Sequence, residues 1–294
     1  KPQDQSAALL LGKNASGKST VRQVLALFQA IGRGRSRVGE LITASDFAHD
    51  RREQAIEFEL EARLGEQSYA YRLVFELPER FRELRVQQER LVVDGEVVFN
   101  RDIAKVAMPR KTKGYEDAVF FIDWHLVALP IIQDAAAAMV LRTLRDWLGA
   151  MILLAPIPFN MRDVAIGSET AIHESAHNLA DWLADLLERF PAAYSGVVEH
   201  LQQFTPDLQG FRFDRLGRDA RALLVLYREE QKTLELPISA LADGEKCFFI
   251  SAVLLAANQM TAPLLAFWDE PENYLAPHEV NQFVVSLKRS FLRQ

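Results

Sequence analysis

Gly12-Lys13-Asn14-Ala15-Ser16-Gly17-Lys18-Ser19-Thr20 decides how this chain is read. It follows the pattern G-x-x-x-x-G-K-[ST], and each residue type has a physical reason to stand where it does. Glycine at positions 12 and 17 permits turn conformations that a Cβ would block, so successive backbone N–H groups can converge on phosphate oxygens. Lys18 would set an ammonium against the β- and γ-phosphates, and the Ser19 hydroxyl would ligate Mg2+. The flanks agree. Ala7-Ala8-Leu9-Leu10-Leu11 predicts a short buried strand, and Val21, Val24, Leu25 and Phe28 recur at helical spacing behind the loop. A helix that starts at the loop adds its dipole to anion binding. Residues 12 to 20 are therefore expected to hold a nucleotide.

Bulk properties narrow the rest. At 294 residues the chain can bury a sizeable core, and 49% hydrophobic with 25% charged residues is globular composition. A net charge of −6 gives no global attraction to nucleic acid or to an anionic membrane, so any DNA contact would need a local basic patch. The single cysteine, Cys247, rules out an internal disulfide and suits a reducing, cytoplasmic setting. Met151-Ile152-Leu153-Leu154-Ala155-Pro156 is far too short to span a bilayer, and no signal peptide is evident from Lys1 onward.

Beyond the helix, Ile31 to Gly39 is glycine-rich and basic and reads as a solvated loop. Between 55 and 100 the period changes to two. Ile56, Phe58 and Leu60 alternate with glutamates; Tyr69, Tyr71, Leu73 and Phe75 repeat the pattern; Leu91-Val92-Val93 and Val97-Val98-Phe99 flank an Asp94-Gly95 turn. An antiparallel β lobe thus interrupts the nucleotide core. Arg80, Arg82, Arg85 and Arg90 interspersed with Glu79, Glu83 and Glu89 read as a solvated face. From about Phe120 helices are expected: Asp134 to Trp147, Asn178 to Phe190 with its stripe of Leu179, Trp182, Leu183, Leu186 and Leu187, and another around Val197, Val198, Leu201 and Phe204. Leu223 to Leu226 and Thr233 to Leu236 predict a second hairpin. The expected organisation is one discontinuous domain. Residues 1–45 carry the P-loop, 46–119 form the β lobe, 120–220 a helical lobe, and 221–294 complete the core.

Two further motifs lie near the C-terminal end. Pro263-Leu264-Leu265-Ala266-Phe267-Trp268-Asp269-Glu270 is an apolar strand ending in two acids, as a Walker B element requires. Asp269 would serve the Mg2+ shell, and Glu270 would orient and deprotonate an attacking water. Upstream, Leu241-Ala242-Asp243-Gly244-Glu245-Lys246 sets a glycine turn before a long apolar helix, again an anion-binding geometry. His173 and His177 around Glu174 match the spacing of H-E-x-x-H, which needs a helix and a third ligand to hold zinc; the helical lobe explains the segment better.

Leu241 to Lys246 looks like the signature motif of ABC-type ATPases, and Asp269-Glu270-Pro271-Glu272-Asn273-Tyr274-Leu275 like their Walker B and D-loop. With the P-loop they resemble the RecF/SMC/OLD branch, in particular the AAA-21 or OLD-like ATPases; Pro156 to Arg162 and His177 to Ala180 resemble segments of that family's helical lobe. The resemblance implies an α/β P-loop NTPase of ABC head type with an antiparallel β lobe and an inserted helical lobe. It implies ATP and Mg2+ as cofactors, with Gly12, Lys13, Asn14, Ala15, Ser16, Gly17, Lys18, Ser19 and Thr20 on the triphosphate, Ser19 and Asp269 on the metal, and Lys18 and Glu270 as the catalytic pair. It also implies a head-to-tail dimer with a second copy of itself, in which Leu241, Ala242, Asp243, Gly244 and Glu245 act in trans. Two departures stand out. The family's signature serine is replaced by Ala242, and its switch histidine falls beyond Gln294 by the usual spacing. Work on DNA with a nuclease or effector partner is expected from the resemblance, with no membrane role. A nucleotide-gated scaffold that sequesters an effector with little turnover is the competing reading, and a transporter ATPase the weaker third.

Overall fold

The computed structural model describes residues 10, 12, 17–47, 51, 53–110, 116–167, 169–230, 232–261 and 264–291. Contacts group residues 23–151 with one another and residues 1–22 with 152–294.

In the unit of residues 23–151, six strands form one antiparallel meander: β1 (Ile56–Leu64), β2 (Gln67–Glu76), β3 (Arg85–Val93), β4 (Glu96–Asp102), β5 (Lys105–Met108) and β6 (Ala118–Phe121), paired in sequence order. The alternation in the sequence becomes alternating exposure along β1, and Tyr69, Tyr71, Leu73 and Phe75 of β2 are all buried. Asp94 and Gly95 both take positive φ, 51° and 81°, as a two-residue turn between twisted strands requires. Helix α1 (Lys18–Gly32) contributes Leu27, Phe28 and Ile31 to this core, with Phe28 edge-on to Phe58 and Tyr71. A single helical turn, α2 (Val38–Leu41), follows it. Between Ile31 and Gly39 the backbone is tied down by bonds such as Val127 N to Ser36 O, rather than running free over the surface.

Three expectations need correction here. Glu89 belongs to no solvated face: it is fully buried, and its carboxylate accepts from the Tyr71 hydroxyl at 2.8 Å and from the Ala128 and Leu129 amides at 2.7 and 2.8 Å. Arg101 pairs with it and also donates to the carbonyls of Ile103 and Asp123. Charge spacing along the chain cannot reveal which strand face lies inward. Second, helix formation begins well after Phe120. Strand β6 runs to Phe121, and the chain from 122 to 137 is irregular because Glu89 and Arg101 take up its backbone groups. Third, helix α3 (Ala138–Gly149) starts four residues past Asp134. The Asp134 carboxylate accepts from the amides of Ala136 and Ala137 at 3.0 Å and forks onto Arg110, a turn that competes with helix.

In the unit of residues 1–22 and 152–294, strand β7 (Ile152–Leu154) pairs in parallel with β12 (Ala266–Trp268). The second expected hairpin is β10 (Arg221–Glu229) with β11 (Lys232–Pro237), but β10 also pairs β8 (Val164–Ala165) and β9 (Leu208–Arg215), so a four-stranded sheet replaces two strands. Helices α4 (Leu179–Arg189), α5 (Ala193–Gln202) and α6 (Asp243–Met260) pack a common core, and α7 (Pro277–Phe291) adds Phe283. Every residue of α6 from Lys246 to Asn258 is buried, as expected of a helix that is apolar on most sides. None of the described helices is long and apolar enough to cross a membrane. At the centre Phe204 stacks on Phe248 at 4.1 Å, and His200 Nε2 lies 3.2 Å from Ser251 Oγ. The Ser251 hydroxyl donates to the Phe248 carbonyl, so the histidine donates to it. Burial pushes the His200 pKa down from 6.5 to about 4.

Two outcomes follow from these packings. A Cβ on Gly32 would lie 2.3 Å from the Gly149 nitrogen and 2.6 Å from Leu148 Cβ, so Gly32→Ala should destabilise by about 1–3 kcal/mol in urea unfolding. His200 stays neutral when folded and gains a proton when unfolded, so stability should fall between pH 6.5 and 4. That pH dependence should be reduced in His200→Gln, as thermal melts across the range would show.

Candidate functional site

Gly17 has a φ of +88°, a conformation that L side chains rarely adopt, so the sequence folds there only with glycine. Helix α1 starts at the next residue, with Thr20 N donating to Gly17 O at 3.1 Å. Lys18, Ser19 and Thr20 therefore occupy the first turn, where amides lack intrahelical partners and anions are favoured. The Lys18 ammonium donates to the Gly12 carbonyl at 2.8 Å, closing the two ends of the loop on each other. Lys13, Asn14, Ala15 and Ser16 lie outside the described residues, as does the strand expected at 7–11 apart from Leu10, which is exposed and not in a strand.

Asp269 reaches the same region from β12. Its amide donates to Leu154 O at 2.7 Å and extends the parallel ladder by one step past Trp268. Its side chain is 11% exposed, and Oδ2 lies 3.4 Å from Nε of Arg22, one turn after Lys18 on α1. Arg22 also forms a close ion pair with Glu174 through Nη1. The two contacts are within one unit and join chain segments separated by 247 and 152 positions. A cationic side chain thus already stands against the Asp269 carboxylate.

Glu270, next along, is exposed and has a φ of +50°. Asn273 holds it twice: the Asn273 amide nitrogen donates to Glu270 O at 3.2 Å, and Nδ2 donates to Oε2 at 2.7 Å. The segment then turns into α7, and Glu279 accepts from the Ala276 amide just before the helix at 2.7 Å.

The 241–245 turn caps α6. Leu241 is buried, and Ala242, in extended conformation, immediately precedes the helix. Alanine has no side-chain acceptor for the helix amides. Glu245 instead accepts from the Ala242 N–H at 2.9 Å and from the Tyr227 hydroxyl at 3.3 Å. Burial, then the neighbouring Glu245 charge, pushes the Tyr227 phenol up. Gly244 allows close packing: a Cβ there would sit 3.2 Å from the Tyr274 carbonyl and 3.6 Å from Leu275. The turn therefore leans on the segment that follows Asp269-Glu270. Asp163 reinforces it by accepting from Ser239 N and Oγ at 2.6 and 2.8 Å.

His173, Glu174 and His177 are not on a helix. Residues 173–178 form turns, Ala176 has a φ of +58°, and α4 begins only at Leu179. Both histidine Nδ1 atoms instead lie near Ser175 Oγ, at 3.1 and 3.0 Å. Among the described residues no group of three or more His, Cys, Asp and Glu is placed to hold a metal ion.

Sequence reasoning missed Arg22, Glu174 in its actual role, and the hold of Asn273 on Glu270. The signal for Arg22 was available: it stands at i+4 from Lys18, and so on the same helix face. For Glu174 nothing local in the sequence pointed to the pairing.

Residues 7–117 match a family described as "AAA domain, putative AbiEii toxin, Type IV TA system". This stretch includes the whole P-loop and most of the β lobe but less than half of the chain. No curated protein matches the sequence. Among solved structures, one described as the crystal structure of the SmcHead bound to the C-winged helix domain of ScpA is similar, at 14% identity and a TM-score of 0.48, covering 96% of this chain and 77% of that one.

Replacing Ala242 by Ser would supply the missing side-chain acceptor at the start of α6. Ala242→Ser should raise stability by about 0.5–2 kcal/mol in urea or thermal unfolding.

Proposed function

We propose that the chain is an ABC-type ATPase of the RecF/SMC/OLD branch, that it binds ATP with Mg2+ on the P-loop, and that it closes head to tail on a second copy. Hydrolysis would then drive or gate a DNA-directed process, such as repair or anti-phage defence, through a nuclease or effector partner. The observation that carries this reading is the contact of Arg22 with Asp269, since it sets the acidic end of β12 against the first turns of the helix behind the P-loop. An ATPase needs that proximity of an acid to the P-loop helix, with the acid on the phosphate side of the strand.

The roles follow from position. The backbone from Gly12 to Thr20 cradles the phosphates, and the Lys18 ammonium moves from the Gly12 carbonyl to the β- and γ-oxygens. Mg2+ would supply neutralisation of the charge that builds on those oxygens. Glu270 orients a water in line with the γ-phosphate and takes its proton on the carboxylate. A second copy's Leu241 to Glu245 turn caps the γ-phosphate with backbone N–H groups and the α6 dipole, Ala242 offering no hydroxyl. A monomer would bind ATP and hydrolyse it poorly. The family description, which names a toxin of a type IV toxin–antitoxin system, is in keeping with a role in defence.

One observation favours a second reading, a nucleotide-gated scaffold with little turnover. One oxygen of the exposed Glu270 carboxylate, Oε2, already accepts from Asn273 Nδ2. Glu270→Gln separates the two. The enzyme reading expects ATP turnover to fall about 100-fold or more with ATP binding retained; turnover and biological output that both stay at the wild-type level would refute it. The DNA limb fails if duplex DNA is not retained at low salt with ATP and Mg2+ present.

A further inference from the structure

Lys18 and Arg22 stand at i and i+4 on α1, so two positive side chains share one helix face, an arrangement that is destabilising in isolation. It persists because two carboxylates answer it. Asp269 and Glu174 come from the ends of different chain segments and meet the same guanidinium, one at Nε and the other at Nη1. The two acids are unequal. Asp269 is 11% exposed, while Glu174 is 47% exposed and belongs to a turn that hydrogen-bonds the chain just past β7, through Ala155 N to Glu174 O and Ile157 N to Ser175 O.

A divalent cation demands the same Asp269 oxygens. Mg2+ takes near-octahedral oxygen ligands at about 2.0–2.1 Å, closer than any guanidinium can approach. Arg22 at 3.4 Å and Mg2+ cannot both draw fully on that carboxylate. The planar fork of arginine lets it release one acid while keeping the other.

We propose that Arg22 is a resident counter-ion that competes with the metal for Asp269, and that Glu174 is the acceptor to which it retreats when metal-bound nucleotide enters. Arg22 and Glu174 are thus positioning residues that set the metal requirement of the site in opposite senses. The coupling would also tie nucleotide occupancy to the turn that carries Glu174, which hydrogen-bonds the chain just past β7. This rests on the nucleotide-binding reading above.

The two senses make the test specific. In the full chain with saturating ATP, Mn2+ is titrated and bound metal is read by electron paramagnetic resonance, while ATP binding is followed separately by calorimetry. Arg22→Gln should lower the Mn2+ half-saturation by about threefold, in line with a partly exposed ion pair. Glu174→Gln should raise it by a similar factor of about three, because Arg22 is left with Asp269 alone. Arg22→Lys, which keeps the charge without the fork, should lie between Arg22→Gln and wild type, and it serves if the glutamine variant does not fold. Shifts of the same sign in the Arg22 and Glu174 variants, or no shift in either, overturn the proposal while wild type still binds metal and ATP. If wild type binds no ATP with or without Mn2+, the nucleotide reading itself fails and this inference falls with it.

Discussion

One hydrogen bond sets the geometry on which the site depends: the Asp269 amide on the Leu154 carbonyl, at 2.7 Å. It continues a parallel ladder of only three residue pairs, Ala266 with Ile152 through Trp268 with Leu154. So short a parallel pair is weak alone and depends on burial. Here Trp268 packs edge-on to Phe283 of α7 at 5.1 Å, and Phe283 touches Phe248 of α6 at 6.0 Å. Because both strands run the same way, their carboxyl ends open at one edge, where ligands bind in α/β folds. Residues past 154 and past 268 are therefore neighbours in space, and Arg22 reaches Asp269 at the second of these ends. A slip of one residue in this register would turn Asp269 to the opposite face.

The β lobe solves a different problem with the same kind of interaction. Glu89 and Arg101 are wholly buried charges, costly unless every donor and acceptor is met. They meet that condition largely through backbone: Glu89 with the amides of Ala128 and Leu129, Arg101 with the carbonyls of Ile103 and Asp123. Burial pushes the Glu89 carboxyl up and the Arg101 guanidinium down, each opposed by the other's charge. The pair fixes an irregular stretch of chain that has no ladder of its own.

These two arrangements explain what was legible in the sequence. Period-two alternation at 56–64 and 69–75, the Asp94-Gly95 turn and the apolar stripe of 179–187 were readable because each depends on residues near one another in the chain. Gly17 was readable because its conformation is nearly exclusive to glycine. Glu89 was misread because a glutamate's neighbours in sequence do not tell whether a distant loop will satisfy it. The same limit hid Glu174, whose partner Arg22 lies 152 positions away. Strand β9 and the late start of α3 were missed for a related reason. Leu208 to Arg215 becomes a strand through β10, and Asp134 diverts the chain by bonding its own amides and Arg110.

Asp269 and Glu270 are adjacent in sequence yet held by opposite chemistries, and that difference bears on how the site would work. Asp269 ends a ladder and faces a guanidinium, so its place is fixed by backbone and its charge is balanced. Glu270 has left the ladder. Its left-handed conformation costs about 1–3 kcal/mol, and the compensating bonds come from a single residue, Asn273. A strained residue with one local anchor can be re-aimed when its surroundings change, whereas a ladder residue cannot. Gly244 brings the start of α6 against Tyr274 and Leu275, next to that anchor. The 241–245 turn thus packs directly on the chain segment that holds Glu270. In the head-to-tail assembly proposed above, which would use this turn as its contact, the carboxylate would be released or held according to whether the partner is engaged, and turnover would then belong to the closed pair.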